Sequence, residues 1–410
     1  MDLELSPEQI EFQKSFQAFC EREIAPRAET IEQEGMDRNT LKRLGDSGYL
    51  GLLHSPEYGG QGASYLTTVL AQSILSYHCG STFFSSGASA GLFGLPIAHY
   101  GSEEQKREYL PSIVTGQTIG CLAITESGSG SDVASVKTTF RPDPSGGYRL
   151  GGSKSYITNA PMADLALVLA RYSDKTIESG KAAGDKTGSP TGLTLLIVDL
   201  NSTGVQRGAP LKKMGLRGSP TGELFFDDVH IPANAILGRP GAGFKQTMKA
   251  FDAERLSMGA YCVGVMEACL EESKTFARSR KSFGRVIGKH QSVAFMLADI
   301  KMRLEASRLL LLESAWLFDQ ADRASRLQHN GSLIEISARA SELKLMASQY
   351  ARECTNLAVQ IHGGAGYMDE YKVSRLYRDI KIAEIGGGTS EIQKQIIARA
   401  EGKRKKAGAA

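Results

Sequence analysis

The spacing of apolar residues changes twice along this chain of 410 residues. From Ser6 to about Ile113 the spacing is helical, between about Thr118 and Leu237 it is that of short strands, and helical spacing returns from Gly243 onward. A segment keeps its apolar residues on one face only in the secondary structure that matches their period. The order predicts a helical part, a β part and a second helical part, and it argues against the alternating strands and helices of a parallel Rossmann sheet.

Turn residues and helix caps divide these parts into elements. Ser6 and Gln9 form a capping-box pattern that predicts the start of the first helix. Four β-rich runs separated by Gly, Pro, Asn and Asp predict strands: YRLGGSKSYITN, ADLALVLARY, TGLTLLIVDL and GELFFDDVHI. Residues 173–192 are polar and rich in glycine, which predicts a mobile loop between two strands. Long helices are predicted at about 243–280, 288–326, 329–362 and 389–403.

Composition excludes several classes of protein. The chain is 41% hydrophobic and 23% charged, which is typical of a folded protein with two or three domains. Its net charge of +3 is too small to indicate nucleic acid or a membrane surface as the main partner. The six cysteines are scattered without CxxC pairs, so we expect no metal cluster and a reducing, cytoplasmic location. The sequence shows no signal-peptide pattern and no apolar run of the ~18 residues needed to span a membrane.

Two glycine-rich segments fail the usual nucleotide-binding templates. GSGSD, residues 128–132, lacks the third glycine of G-x-G-x-x-G, and GRPGAGFK, residues 238–245, misses the P-loop spacing by one residue. Each of them, taken alone, is more typical of an ordinary loop than of a cofactor site.

A set of longer motifs is far more specific. The chain contains CLAITESGSGSD, SYITNA, RSRKSFG, VQIHGGAGY and YRDIKIAEIGGGTSEIQ in this order, with YGGQG and YGSEEQK in its first part. Together they resemble the acyl-CoA dehydrogenase family of flavoproteins over nearly the whole chain. The resemblance implies an N-terminal helical domain (1–117), a middle β-barrel or sandwich (118–240) and a C-terminal four-helix bundle (241–410). It also implies an FAD-dependent oxidation of acyl-CoA to α,β-enoyl-CoA, with electrons passed to an electron-transfer flavoprotein, in a homodimer or homotetramer.

The same resemblance assigns residues to the FAD. Those expected at the flavin ring are Leu122, Ile124, Thr125, Tyr156 and Thr158, where the family usually has Trp in place of Tyr156. Those expected at the ADP half of FAD in a neighbouring subunit are Arg280, Ser282, Phe283, Gln360, Gly363 and Gly364. Arginine presents a planar charged fork to a pyrophosphate, and paired glycines let the backbone approach closely. The alternative for Arg280 is an ordinary surface charge on a helix.

Three glycines precede the last helix, and they carry further assignments. Thr389 and Glu391 match cofactor-contacting residues of the family. Ser390 and Gln393 form a second capping-box pattern, which predicts a helix N-terminus able to bind an anion. The position of Gly387 holds the catalytic glutamate in many members of the family, whereas here there is no side chain. The resemblance assigns the Gly387 N–H, with a ribityl hydroxyl of FAD, to the thioester carbonyl oxygen.

A base from another helix is the favoured explanation of this missing glutamate. Glu254 falls on an apolar helical stripe, where a carboxylate is badly placed for a surface residue. The stripe contains Phe251, Met258, Tyr261, Cys262 and Val265. Periodicity leaves an alternative open, in which Glu254 pairs with Arg255 or Lys249 and faces water. AERL and IGGGTSE, however, are similar to the family members that carry the base on this helix, such as isovaleryl-CoA and long-chain dehydrogenases.

The resemblance also implies where the substrate binds. Phe251, Asp252 and Arg255 match positions near the CoA mouth, where Arg255 holds a phosphate or pairs with Asp252. Ser131 matches a contact to flavin or to the pantetheine chain. Small residues including Ser85 and Ala88 suggest room for a bulky, branched or cyclic acyl group, or helix packing. The segment between Cys79 and Lys106 contains no arginine, which argues against a dicarboxylyl substrate.

Other functions remain open on the sequence alone. One is a dehydrogenase or oxidase of an acyl or aminoacyl group tethered to a carrier protein, because such relatives also place the glutamate on this helix. Another is a flavin monooxygenase or a non-catalytic flavoprotein of the same fold, neither of which needs a base.

Overall fold

The predicted order of helices, strands and helices is confirmed in a computed structural model, which describes residues 4–173, 192–321, 325–329 and 332–407. Nearly all of the loop predicted at 173–192 lies outside the described residues. The helices are α1 Pro7–Glu23, α2 Ala28–Glu34, α3 Arg38–Asp46, α4 Tyr65–His78, α5 Gly80–Ser86, α6 Leu95–Tyr100, α7 Glu103–Val114, α8 Gly243–Ser279, α9 Gln291–Ala321, α10 Ile336–His362, α11 Lys372–Asp379 and α12 Ser390–Ala407. The strands are β1 Gly120–Ala123, β2 Thr139–Pro142, β3 Tyr148–Thr158, β4 Leu165–Tyr172, β5 Leu193–Asp199, β6 Val205–Arg207, β7 Thr221–Ile231, β8 Lys281–Ser282, β9 Arg285–Val286, β10 Arg326–His329 and β11 Ser332–Glu335.

The first helix begins where its cap predicts. The Ser6 hydroxyl accepts a hydrogen bond from the Gln9 N–H at 3.2 Å, and the Ser6 N–H donates to the Gln9 carboxamide at 3.0 Å. Both halves of the capping box are therefore present. Further along, α5 continues without a break through a π-helical stretch, Gly87–Gly94, into α6. Such wider turns inside α-helices are frequent at functional sites.

The middle domain is one seven-stranded sheet in the order β1-β4-β2-β3-β7-β6, with β5 on the other side of β4. β4 pairs in parallel with β1 and β2, and the remaining pairs in this sheet are antiparallel. β4 and β5 are apolar and almost completely buried, which explains their continuous hydrophobic runs. The end of β1 comes beside β3, because the Ser155 N–H donates to the Thr125 carbonyl at 2.9 Å.

The C-terminal helices pack around α8, which spans 37 residues and contacts α4, α9 and α10. The predicted ends of two of these helices are wrong: α9 stops at Ala321, α10 starts at Ile336, and β10 and β11 pair antiparallel between them. The sequence contains Asn330–Gly331 at this point, a dipeptide that favours hairpins over helices. None of the helices built from described residues has the length and apolarity needed to cross a membrane.

Candidate active site

A cavity of about 720 Å³ lies between the N-terminal helices and α8. One wall is formed by α4, a second by the end of α5 with the π-helical stretch, and a third by the first turns of α8. Apolar side chains such as Val69, Phe84, Leu95 and Met258 line most of the cavity. The carboxylates of Asp252, Glu254 and Asp319 line it as well. A pocket of this size and lining can enclose an acyl chain together with a small number of oriented polar groups.

Glu254 points into this cavity from α8 and has no ion-pair partner within the described part of the chain. The two cations considered from the sequence are used elsewhere, since Arg255 and Lys249 lie 2.8 and 3.6 Å from the carboxylate of Asp252. The Oε2 atom of Glu254 is buried without a hydrogen-bond partner among the described residues. Burial raises the pKa of Glu254, and the charges of Arg255 and Lys344 oppose that rise. Such a carboxyl group can take up a proton more readily than an exposed one.

Gly387 lies directly against this carboxyl group. A β-carbon at Gly387 would stand 3.2 Å from Cδ and 3.2 Å from Oε2 of Glu254. The backbone of Gly387 has φ +65°, a left-handed conformation that favours glycine. Its N–H donates no hydrogen bond to another described residue. The structure thus brings together the two residues that the sequence assigns to the reaction centre.

Two buried side chains donate hydrogen bonds to the backbone carbonyls of the glycine turn, Gly386–Gly388. Lys344 donates from Nζ to the Gly388 carbonyl at 2.7 Å. The Gln393 carboxamide donates to the same carbonyl at 2.7 Å and to the Gly387 carbonyl at 3.2 Å. The predicted capping box of Ser390 and Gln393 is therefore wrong. Thr389 is the residue before α12, its hydroxyl accepts from the Ile392 N–H at 3.4 Å, and Gln393 is turned toward the glycines instead.

The residues assigned to the flavin ring lie where the C-terminal ends of β1 and β3 meet, a rim of the sheet called the β1–β3 edge below. β1 carries Leu122 and is followed directly by Ile124 and Thr125, and the bond from Ser155 to Thr125 places the end of β3 next to them. Tyr156 is 69% exposed at φ +61°, and Thr158 ends the same strand. Leu122 and Phe251 both pack against the apolar cluster that contains Ile124, which connects this edge to α8. None of the five assigned residues lines the cavity itself.

Behind the β1–β3 edge lies a buried ion pair that the sequence analysis missed. The Lys154 ammonium donates to Glu126 at 2.8 Å and to the Ile124 carbonyl at 3.0 Å. Glu126 also accepts from the backbone N–H groups of Lys137 and Thr138. Burial lowers the pKa of Lys154 to about 8. For Glu126, burial raises the pKa, but the hydrogen bonds that it accepts outweigh this effect and lower its pKa to about 2. The pair fixes the loop that carries Ile124 and Thr125.

The residues assigned to the ADP half of FAD lie on the protein surface. Arg280 and Ser282 are exposed at the hairpin of β8 and β9, where Phe283 is 94% exposed at φ +48°. Gln360, Gly363 and Gly364 are also exposed, at the end of α10. The two groups are neighbours, since Phe276, one turn before Arg280, stacks on His362 with ring centroids 4.3 Å apart. Glu391 is exposed on the first turn of α12, next to Thr389.

The residues assigned to the substrate divide into two groups. Asp252 and Ala88 line the cavity, whereas Phe251, Arg255, Ser85 and Ser131 do not. Arg255 is buried and paired with Asp252, which is one of the two arrangements that the sequence left open. The Ser85 hydroxyl lies 3.0 Å from that of Ser219, so it contributes to packing between the first two domains. Ser131 is exposed on the loop after β1.

Lys344 was also missed, although a signal for it exists. It lies on α10 at helical spacing from Ala340, Ala347 and Ala351, all of them fully buried, so its position belongs to the buried face. A lysine on such a face is rarely buried without a specific partner. Within the described ranges, no group of three or more His, Cys, Asp or Glu side chains stands close enough to hold a metal ion.

Comparisons with known proteins identify the family of this chain. Family models described as the N-terminal, middle and C-terminal domains of acyl-CoA dehydrogenase match residues 6–117, 121–229 and 241–402. The chain is 38% identical to the probable acyl-CoA dehydrogenase YngJ of Bacillus subtilis (strain 168), over 97% of this chain and 99% of that protein.

Solved structures show the same likeness. The structure of butyryl-CoA dehydrogenase from Megasphaera elsdenii matches with a TM-score of 0.87 and 32% identity, over 98% of this chain and 99% of that one. An acyl-CoA dehydrogenase from Bacillus anthracis, solved in complex with FAD, matches with a TM-score of 0.88 and 30% identity, over 99% of this chain and 69% of that one. On the strength of three domain models in order and relatives similar along the whole chain, this protein is a member of the acyl-CoA dehydrogenase family.

Proposed function

We propose that this protein performs the FAD-dependent α,β-dehydrogenation of an acyl-CoA thioester with Glu254 as the base that removes the α-proton. Family membership supports the class of reaction, and one observation supports the choice of base. Glu254 lines the cavity without an ion-pair partner among the described residues, and its buried Oε2 atom lies against Gly387. A structural carboxylate is normally paired or exposed, whereas a general base must be within reach of the substrate and have a pKa near the working pH.

Gly387 has a complementary role in this proposal. Its N–H donates to the thioester carbonyl oxygen, which becomes more negative as the α-proton leaves. The absence of a side chain leaves room for the carboxyl group of Glu254, which approaches from α8. Closure of the apolar cavity around the acyl chain removes water, and this strengthens both interactions. FAD, when bound, supplies the acceptor for the hydride that leaves the β-carbon.

The residues assigned to FAD fit that cofactor. The β1–β3 edge offers the exposed ring of Tyr156, two threonine hydroxyls and backbone groups, which suits a flat heteroaromatic ring. At Gly363 and Gly364 a β-carbon would meet no atom within 4 Å, so the surface there is open to a ligand. Arg280 beside them provides a permanent positive charge for a pyrophosphate.

The exposed position of this second group supports a shared cofactor site in a homodimer or homotetramer. Phe283 and Tyr367 are 94% and 82% exposed, which is unusual for aromatic side chains of a monomer. On α9, Phe295, Met302 and Leu309 are spaced by seven residues and all are exposed, so they form an apolar stripe suited to a neighbouring subunit. An electron-transfer flavoprotein is the proposed acceptor of the electrons.

An anaerobic screen of acyl thioesters tests the proposal. Purified FAD-loaded protein is mixed with CoA thioesters of linear, branched and cyclic acids, and with the same acyl groups on a carrier protein, while bleaching of the flavin is recorded. We expect bleaching by a CoA thioester with the native protein and almost none with Glu254→Gln, although both retain FAD. Glu267→Gln is the matched control, because Glu267 lies on the same helix but pairs with Arg308 at 3.1 Å.

Each outcome of the screen has a clear meaning. Equal bleaching of the native protein and Glu254→Gln refutes the assignment of the base. Bleaching by carrier-linked thioesters alone shows that the substrate is an acyl group on a carrier protein and not on CoA. An absence of bleaching by every thioester refutes the dehydrogenase proposal.

A further inference from the structure

We propose that Lys344 is a positioning residue of this active site: its ammonium group fixes the glycine turn and places a positive charge behind the reacting carboxyl group. The inference deepens the proposed function, because it concerns the base assigned there. It rests on a contact across the fold, from the middle of α10 to the carbonyl of Gly388.

The turn is held at two consecutive carbonyl groups. Lys344 and Gln393 both donate to the Gly388 carbonyl at 2.7 Å, and Gln393 also donates to that of Gly387. Gly387 and Gly388 have φ values of +65° and +94°, in a region of backbone space with few restraints for glycine. Without the two donors the peptide planes of this turn could rotate easily. With them, the N–H of Gly387 keeps one direction relative to Glu254.

A neutral donor would be sufficient for holding the turn, so the charge of Lys344 needs a separate explanation. The side chain is completely buried, and removing an ammonium group from water is costly unless an opposite charge is near. The titratable groups facing it are Glu254, Arg255 and Cys262 on α8, Glu384 before the turn and Glu391 on α12. Among these, Glu254 is the carboxyl group that lies against the same turn.

The sign of this charge suits the reaction. A positive charge near Glu254 favours its carboxylate form, which is the form that accepts a proton, and counteracts the effect of burial. Once Glu254 has taken the proton, the same charge attracts the negative charge that has moved to the thioester oxygen beside Gly387. Burial lowers the pKa of Lys344 to about 8, so the ammonium form prevails at neutral pH and is lost in alkaline solution.

Three variants separate the two effects. Lys344→Gln keeps a donor without charge, Lys344→Arg keeps the charge, and Gln393→Met removes the neutral donor alone. The first readout needs no substrate: the protonation of Glu254 is followed by infrared difference spectroscopy against Glu254→Gln, and hydrogen exchange is measured for residues 384–394. In Lys344→Gln we expect the pKa of Glu254 to rise by about one unit, a tenfold change in its protonation equilibrium. Gln393→Met is expected to accelerate hydrogen exchange in the turn and to leave that pKa near the native value.

The second readout uses acetoacetyl-CoA, whose α-proton is acidic enough to be titrated on the protein by the absorbance of its enolate. In Lys344→Gln we expect the pKa of the bound probe to be about one unit higher, which is a tenfold less favourable ionisation. In Lys344→Arg this pKa should be close to the native value. Unchanged titrations of both Glu254 and the probe in Lys344→Gln would overturn the inference. If no thioester bleaches the flavin but the Glu254 titration still shifts, the proposed function fails and the role of Lys344 stands.

Lys344→Arg keeps the inference testable should Lys344→Gln not fold. A guanidinium group stays charged at alkaline pH. The native rate of flavin bleaching should therefore fall as pH rises through about 8, where Lys344 loses its proton, and this fall should be absent in Lys344→Arg. An alkaline fall of equal size in both proteins contradicts the role of Lys344.

Discussion

Glu254 and Gly387 lie so close together that a β-carbon on the glycine would press against the carboxyl group of the glutamate. A β-carbon on Gly387 would be 3.2 Å from Cδ and Oε2 of Glu254, and even that first atom is tighter than ordinary van der Waals contact. With a β-carbon in the turn before α12, the carboxyl group on α8 would have to move by a few tenths of an ångström, so a glycine there suits its present position. This shared space accounts for Gly387, and the positive φ values account for Gly387 and Gly388. Nothing in the structure explains the glycine at 386.

Gly387→Ala tests this relationship. The added methyl group must push Glu254 away or shift the turn, and the left-handed backbone disfavours alanine by about 1–2 kcal/mol. We expect flavin bleaching to slow at least tenfold while FAD remains bound, with a free energy of unfolding lower by a similar ~1–2 kcal/mol. Stopped-flow absorbance and denaturant unfolding provide the two measurements.

Gly59→Ala is its control. Gly59 also has a positive φ, +84°, but its added methyl group would meet only Val114, at an ordinary 3.4 Å. This variant should lose comparable stability and keep the native bleaching rate. A native rate in Gly387→Ala as well would show that the contact with Glu254 has no catalytic importance.

The buried pair of Asp252 and Arg255 restrains a cation whose charge acts on the base. Asp252 accepts from Arg255 at 2.8 Å and from the Ser337 hydroxyl at 2.7 Å. In Asp252→Asn the guanidinium of Arg255 loses its carboxylate partner and should turn toward Glu254, whose pKa it lowers. We expect the acid limb of the pH profile of flavin bleaching to move to lower pH, with a loss of stability of about 3 kcal/mol.

Asp299→Asn is the matched change for this pair. Asp299 is the half-exposed member of an ion pair with Arg303 at 3.3 Å on α9, so its loss should alter stability by less than about 1 kcal/mol and leave the pH profile unchanged. If the acid limb stays in place in Asp252→Asn, Arg255 is not restrained by Asp252 in the way the structure indicates.

Asp379, which does not line the cavity, gives rise to a predicted pH dependence of stability. This aspartate is 3% exposed at the end of α11 and accepts a hydrogen bond from the Leu216 N–H, which joins the middle domain to the C-terminal helices. Burial raises its pKa from 3.8 to about 7. Because the folded protein holds this proton more tightly than the unfolded chain, stability falls as pH rises from about 4 to about 7 and is constant above.

Asp379→Asn removes this dependence, because the amide oxygen still accepts from Leu216 and carries no charge. The variant should exceed the native protein in free energy of unfolding by more at pH 8 than at pH 5, on the order of a few kcal/mol. Thermal unfolding at both pH values measures the difference. Asp227→Asn, at an exposed position on β7, is the control. An equal difference at pH 5 and pH 8 contradicts the prediction.

The sequence predicts the fold well because the apolar period is a local property. The four β-rich runs and the long helices appear in the structure. The errors lie at the ends of α9 and α10, where the sequence contains a two-residue turn signal. The position of Glu254 on an apolar stripe also follows from local spacing, since a stripe marks the face that is turned inward.

Long-range partners could not be predicted in this way. Lys344 bonds to a carbonyl 44 residues away, and Lys154 bonds to Glu126 across 28 residues. Even a local partner can differ: the sequence pattern pairs Gln393 with Ser390, whereas its side chain donates to the carbonyls of Gly387 and Gly388. A local pattern indicates which side chains can cap a helix, and the surrounding fold decides which of them does so.

Gly87 offers a direct test of what the cavity accepts. It lies in the π-helical stretch, lines the cavity, and has no atom within 4 Å of where a β-carbon would stand. Gly87→Ala should raise the free energy of unfolding by about 0.5–1 kcal/mol, because alanine loses less backbone freedom in a helix than glycine does. The new methyl group occupies acyl space, so kcat/KM for the longest accepted acyl chain should fall about tenfold while the shortest is unaffected. Gly402→Ala, on exposed α12 with no atom near its β-carbon, should give a similar gain in stability without changing chain-length preference. If the two variants share one chain-length profile, the acyl group does not reach the π-helical stretch.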